Sequence, residues 1–186
     1  MAIQLTGRTE EIKALNTALA SERPEMIAVI GRRRVGKTFV IKQTYGQQID
    51  FELTGIQHAT KSEQLQNFLF ALRNYFPDFI IEQKPKTWLA AFFMLSKALE
   101  EKSKQEKMVV FLDELPWLGT KRSGFIKGLG WFWNSWAVNN NVVVVICGSA
   151  ASWMIERVVN NTGGLYNRIT KRIFLQAFNL AETTAF

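Results

Sequence analysis

Cysteine and histidine are almost missing from this chain. Cys147 and His58 are single copies in 186 residues. One thiol excludes an intrachain disulfide framework, and one thiol with one imidazole excludes a Cys/His zinc cluster. A reducing compartment, the cytoplasm, is the expectation that follows. No apolar run approaches the ~20 residues of a membrane span, and the N-terminus lacks the basic-then-apolar run of a signal peptide. No membrane partner is therefore expected. Internal repeats and low-complexity linkers are also absent. Charged residues make up 21% of the chain against 47% apolar, which excludes a disordered or collagen-like chain and allows a sizeable core.

What charge there is leans basic: 23 Lys plus Arg against 16 Asp plus Glu, or +7. That balance suits anionic partners such as nucleotides, nucleic acid or acidic surfaces. It is also clustered. Arg32, Arg33, Arg34 and Lys37 lie within eight residues, and without them the chain carries only +3. The pattern points to one local anion site more than to a broad nucleic-acid surface.

Apolar spacing divides the chain into alternating strands and helices. Thr9, as a cap, with Glu10 and Glu11 behind it, predicts a helix start, and Pro24 is expected to break that helix. Met26 to Ile30 reads as a buried strand, and Thr38 to Gln43 as helix. Ile49, Phe51 and Leu53 read as one face of a strand. Leu65, Phe68, Leu69, Leu72 and Phe76 carry helical spacing that Pro77 ends, and Trp88, Phe92, Leu95 and Leu99 form a second stripe. Met108 to Leu112 is the next apolar run. Phe125, Leu129, Phe132 and Trp136 predict a helix, Val142 to Ile146 a buried strand, Ala150 to Val159 a helix, Asn160 to Gly164 a loop and Ile173 to Leu175 a short strand. A last helix start is read at Asn179 to Thr183. Continuous apolar strands without a polar face predict a parallel sheet covered on both sides, an α/β fold.

The segment Gly31-Arg32-Arg33-Arg34-Val35-Gly36-Lys37-Thr38 matches G-x-x-x-x-G-K-[ST] without a mismatch, after a strand and before a helix. Two glycines let the backbone turn around a phosphate. The loop N–H groups and a helix N-terminus converge on the anion. Lys37 has the reach for the β- and γ-phosphates, and the Thr38 hydroxyl suits Mg2+; Phe39 follows on the same helix and completes the candidate nucleotide-binding stretch. Asp113 and Glu114 end the run Val109 to Leu112, so both emerge at the carboxyl edge of a sheet. Asp113 suits Mg2+ and Glu114 suits polarising water; the competing reading is two surface acids. Ser149, with Ser152 in reserve, follows the strand Val142 to Ile146 and is a candidate for contacting the γ-phosphate or the lytic water. A hydroxyl capping a helix is the alternative. Arg168 follows the Gly163-Gly164 loop and suits either a neighbour's phosphate or plain surface charge. Cys147 reads as a buried structural thiol, His58 as a loop residue, and the cluster Trp131, Trp133 and Trp136 as core more than stacking platform.

Leu5-Thr6-Gly7-Arg8-Thr9-Glu10-Glu11, the GRRRVGKT loop, VVFLDELPWL, VVVVICGSAASWM and GLYNRITKRIFL together resemble the archaeal-type ATPases, P-loop NTPases near the AAA+ and STAND groups. The resemblance runs from about Leu5 to Glu182. It implies a three-layer α/β/α fold with a parallel five-stranded sheet in the order 5-1-4-3-2. It implies Gly31 to Thr38 as Walker A, Asp113 and Glu114 as Walker B, Ser149 as sensor 1 and Arg168 as an arginine finger. Gly7 and Arg8 resemble the family's segment near the adenine. Residues 1–186 are expected to be an ATPase core whose helical lid, winged helix and C-terminal domain lie outside this chain.

The expected function is ATP binding and Mg2+-dependent hydrolysis coupled to conformational change or assembly. The cofactors are then ATP and Mg2+, and the partners a second copy of the chain or DNA. A GTPase is disfavoured because no Asn-Lys-x-Asp motif occurs, and a nucleotide kinase because a Glu beside Asp113 favours activating water. A non-catalytic nucleotide switch and a DNA-associated ATPase are the rivals.

Overall fold

The computed structural model describes residues 7–160 and 163–177. The helix read at Asn179 to Thr183, part of the loop read at Asn160 to Gly164, and Leu5 and Thr6 lie outside the described residues. The elements follow in the order α1 Thr9–Ala20, β1 Glu25–Gly31, α2 Lys37–Tyr45, β2 Ile49–Thr54, α3 Lys61–Tyr75, α4 Trp88–Ser103, β3 Met108–Asp113, α5 Leu115–Leu118, α6 Phe125–Ser135, β4 Val142–Gly148, α7 Ala151–Met154 and β5 Lys171–Leu175. Residues Ile155–Val159 extend α7 as a π turn.

All five strands are parallel and lie in the order β2-β3-β4-β1-β5, as expected. Alternate residues of each central strand feed two separate cores. Met26, Ala28 and Ile30 of β1, Val110 and Leu112 of β3, and Val142, Val144 and Ile146 of β4 face α3, α4 and α6. Ile27, Val29, Val109, Phe111, Val143, Val145 and Cys147 face α1 and α2. Every residue of β3 and β4 is buried, which is why these strands read as unbroken apolar runs. The first core is aromatic. Trp88 meets Phe125 edge-on at 4.8 Å and Phe68 at 6.2 Å, and Phe132 lies 5.4 Å from Phe92. Trp133 is buried, and Trp131 and Trp136 pack partly buried against the same core, so the tryptophan cluster is structural.

Three local expectations are corrected. Thr9 does not cap α1: it is the first helical residue, and Arg8 stands at the cap position with φ 61° and no side-chain cap. Helix α1 ends at Ala20, four residues before Pro24, with Ser21 already extended. Ile49 does not share a face with Phe51 and Leu53. The pairing runs Ile49 to Val109 and then Phe51 to Val110, so Asp50 is the extra residue of a β-bulge. The Asp50 carboxylate accepts the Val109 N–H at 2.7 Å, supplying a ladder bond that the bulge removes. Ile49 consequently packs against the α1/α2 core and Phe51 against the other. The one-turn helix α5, which follows the acidic pair directly, had no apolar periodicity to announce it.

Among the described residues no helix is long and apolar enough to cross a membrane.

Candidate functional site

Strands β1, β4 and β3 are neighbours, so their carboxyl ends bring Gly31, Ser149 and the Asp113-Glu114 pair to one edge of the sheet. This is the edge at which open α/β sheets take ligands.

The β1–α2 loop has the backbone of an anion cradle. Arg34 has φ 67° and Gly36 has φ 88°. Gly36 stands at the cap position of α2 without any side-chain cap, leaving the first-turn N–H groups of a nine-residue helix open. Gly31 is needed for space, since a Cβ there would collide with the Leu175 carbonyl on β5. Lys37 is 5% exposed, and its Nζ donates to the carbonyls of Gly31 at 3.0 Å and Arg32 at 2.8 Å. An ammonium has three donors, and this pair of contacts folds it back over the loop. Arg32, Arg33 and Arg34 are exposed, as is Phe39.

Thr38 Oγ1 donates to Asp113 Oδ2 at 2.7 Å, which joins the start of α2 to the end of β3. Asp113 is buried, and its other carboxylate oxygen accepts the Glu114 N–H at 2.8 Å. Glu114 takes the left-handed conformation, φ 50° and ψ 49°, where the chain leaves β3 for α5. That turn swings its side chain toward β4. Ser149 Oγ lies 2.6 Å from Glu114 Oε2 and 2.9 Å from Oε1. Ser149 is thus not a helix cap: α7 has no side-chain cap, and Ser152 is exposed. Cys147, just before, is a buried free thiol whose pKa is pushed well up, by burial first and by the nearby Asp113 carboxylate second.

Arg168 is not part of this constellation. It precedes β5, whose first residue Lys171 pairs with Ile27, whereas the phosphate-loop end of β5 is Leu175 beside Gly31. Thr170 N donates to Met26 O at 2.9 Å, fixing this segment at the amino edge of the sheet. About 13 Å of strand therefore separates Arg168 from its own loop. Its side chain is exposed. His58 lies in the exposed β2–α3 loop.

Two further residues support the site: Arg8, which the resemblance set near the adenine, and Gln64, which escaped the sequence reading. Arg8 is 4% exposed and donates to the carbonyls of Val35 at 3.4 Å and Gln176 at 2.5 Å, bracing the phosphate loop from behind. Gln64, also buried, donates to the carbonyls of Ile56 and Trp117 and accepts the Ile56 N–H, tying the β2–α3 loop to α5. Gln64 reaches the Trp117 carbonyl, 53 residues away in sequence, so no local pattern marks it.

The chain matches the ATPase domain predominantly from Archaea over residues 5–186. It belongs to that family. An uncharacterised protein of Methanocaldococcus jannaschii is 29% identical over 164 residues, 88% of this chain and 34% of the relative. Among solved structures, the Walker-type ATPase PABY2304 of Pyrococcus abyssi superposes with a TM-score of 0.69 at 18% identity, over 97% of this chain and 56% of that one. The ORC2 protein of Aeropyrum pernix, solved with ADPNP and ADP, gives 0.64 at 15% identity over 100% and 51%. Drosophila ORC bound to DNA gives 0.70 at 19% identity over 96% and 45%. These structures share the fold. The chain spans about a third of the Methanocaldococcus relative and about half of the structural ones. Membership of an ATPase family agrees with the nucleotide-directed reading of the phosphate loop.

Proposed function

We propose that this domain binds ATP with Mg2+ at the carboxyl edge of the sheet and hydrolyses the β–γ bond. The observation that carries the proposal is the 2.7 Å contact between Thr38 Oγ1 and Asp113 Oδ2. It sets a hydroxyl and a carboxylate side by side at the open N-terminus of α2. Both are hard oxygen donors. Among the described residues no group of three or more His, Cys, Asp or Glu side chains is placed to cage a metal. A site with two protein oxygens fits Mg2+, which keeps waters and takes phosphate oxygens for its other positions. When bound, the ion neutralises charge developing on the β- and γ-phosphates.

The chain's own residues supply the rest. The loop N–H groups from Arg32 to Thr38 and the Lys37 ammonium hold the phosphates. Glu114 orients a water for in-line attack and takes its proton. Ser149, already on the Glu114 carboxylate, sits where it can turn to the γ-phosphate. Arg168 serves a neighbouring subunit, in a homo-oligomer. A non-catalytic nucleotide switch is the second reading, favoured by the same Ser149 contact, because it engages both oxygens of the group that must activate water.

The direct test is phosphate release with and without Mg2+, alongside calorimetric binding of a non-hydrolysable ATP analogue. Mg2+-dependent release from the native chain is expected, and Asp113→Ala should remove the Mg2+ enhancement of analogue binding while leaving binding in chelator. Binding without any release would favour the switch, and an undiminished Mg2+ effect in the variant would remove Asp113 from the metal site.

A further inference from the structure

A second basic site shares no lining residue with the phosphate loop. The α5–α6 turn and α7 enclose a cleft of about 620 Å³. Lys121, Arg122, Lys127 and Arg157 line it, with Glu156 as its one acid. Arg157 has Glu156 at 3.8 Å. Lys121, Arg122 and Lys127 are exposed, and none has an acid within ion-pair distance among the described residues. Three cations without an acid beside them suit an anion, unlike the pairs in which Lys97 meets Glu100 and Lys104 meets Glu101.

The cleft is also built. Ser123 N and Oγ both donate to the Thr120 carbonyl at 3.0 Å, and Ser123 Oγ accepts the Phe125 N–H at 3.2 Å. Lys121 and Arg122 are the two middle residues of this tied turn, so their charges are presented together. The half-buried Trp153 indole also lines the cleft, seated against Gly119 so closely that a Cβ there would fall 2.6 Å from the ring. Its other apolar lining residue with exposed surface is Ile126, since Phe125 is fully buried. A phosphate chain would find spaced cations and one aromatic ring for a base, the pairing that single-stranded nucleic acid uses.

We propose that this cleft binds single-stranded nucleic acid, with Lys121, Arg122 and Lys127 on the phosphates and Trp153 under a base. It is distinct from the Arg32–Arg34 cluster of the phosphate loop. Its walls are placed to communicate with the ATP site: α5 starts directly after Glu114, α7 starts two residues after Ser149, and the two helices pack together.

Fluorescence anisotropy of a labelled oligothymidylate, titrated with the native chain at several salt concentrations, tests this without requiring hydrolysis. Its failure is therefore distinguishable from failure of the ATPase reading. Reversing all three cations (K121E, R122E and K127E together) should weaken binding at least tenfold and lower the salt slope by about 2, at ~0.7 per phosphate contact. Trp153→Ala should cost roughly tenfold and Trp153→Phe much less, with ATP-analogue affinity unchanged in every variant as the check on folding. The comparison variant K13E, R73E and R172E makes the same net-charge change at three exposed positions on separate elements, α1, α3 and β5. It should leave the slope at its native value. An equal loss in both triple variants would overturn the assignment, because it would show a response to net charge alone. Tighter binding of duplex DNA or of a polyglutamate peptide of equal charge would overturn the choice of ligand.

Discussion

Lys37 and Glu114 show how much a single side chain carries here. Lys37 is nearly fully buried, and its partners are two carbonyls of its own loop, with no acid in ion-pair distance among the described residues. Charge-assisted hydrogen bonds are worth ~1.5–3 kcal/mol each, and two of them lost to phosphate imply roughly a hundredfold or greater loss of affinity. Lys37→Ala should show that loss for an ATP analogue in calorimetry; unchanged affinity would remove the phosphate loop from nucleotide binding. Glu114→Gln keeps size and shape and removes basicity, so ATP should stay bound while phosphate release slows by on the order of 10² to 10⁴. Normal turnover in that variant would return Glu114 to a surface acid. The residue types and spacing of Gly31 to Thr38 and of Asp113-Glu114 were legible because they follow apolar strands at a fixed edge. The contact between Ser149 and Glu114 was not, because it joins β3 to β4 through a left-handed backbone turn at Glu114 that no neighbouring glycine announces.

Helices and strands with strong periodicity were legible for a plain reason: each buries one stripe or both faces against the sheet, as with Leu65, Phe68, Leu69 and Leu72 on α3. What escaped was what polar side chains decide locally. The Asp50 bulge turns Ile49 to the other face, and a period-two reading cannot see one inserted residue. At the start of α3 the opposite holds: Thr60 and Glu63 form a full capping box, with Glu63 N donating to Thr60 Oγ1 at 3.3 Å and Thr60 N to Glu63 Oε2 at 2.7 Å. The Thr60 contacts hold the Glu63 carboxyl below its usual pKa. Thr60→Ala should cost about 1 kcal/mol, a fall in Tm of roughly 2–4 °C for a domain of this size, measured by thermal unfolding. No change in Tm would mean that packing of the α3 stripe alone holds the helix.

The sheet as a whole decides what Arg168 can do. Parallel strands have two unlike edges, and the chain leaves α7 and its π turn to re-enter the sheet at the amino edge. The connecting loop is docked there. Asn134 of α6 donates to the Gly164 carbonyl at 2.6 Å, Leu165 is buried, and Gly130 and Gly164 approach so closely that a Cβ on Gly130 would meet the Gly164 Cα at 3.2 Å. Arg168 therefore projects from a fixed support, on the edge opposite its own phosphate loop. An arginine so placed contributes to hydrolysis only by reaching the phosphates of a second copy, where a finger is worth roughly 10³ to 10⁵ in rate. Phosphate release should then rise faster than linearly with protein concentration, and Arg168→Ala should abolish the rise while leaving ATP-analogue affinity nearly intact. Mixing Arg168→Ala with Glu114→Gln chains separates this from a structural defect. In a mixed assembly, an intact Glu114 on one subunit meets an intact Arg168 on the other, so activity should reappear in the mixture although each variant alone is inactive. Co-assembly without recovered activity would return Arg168 to the role of surface charge.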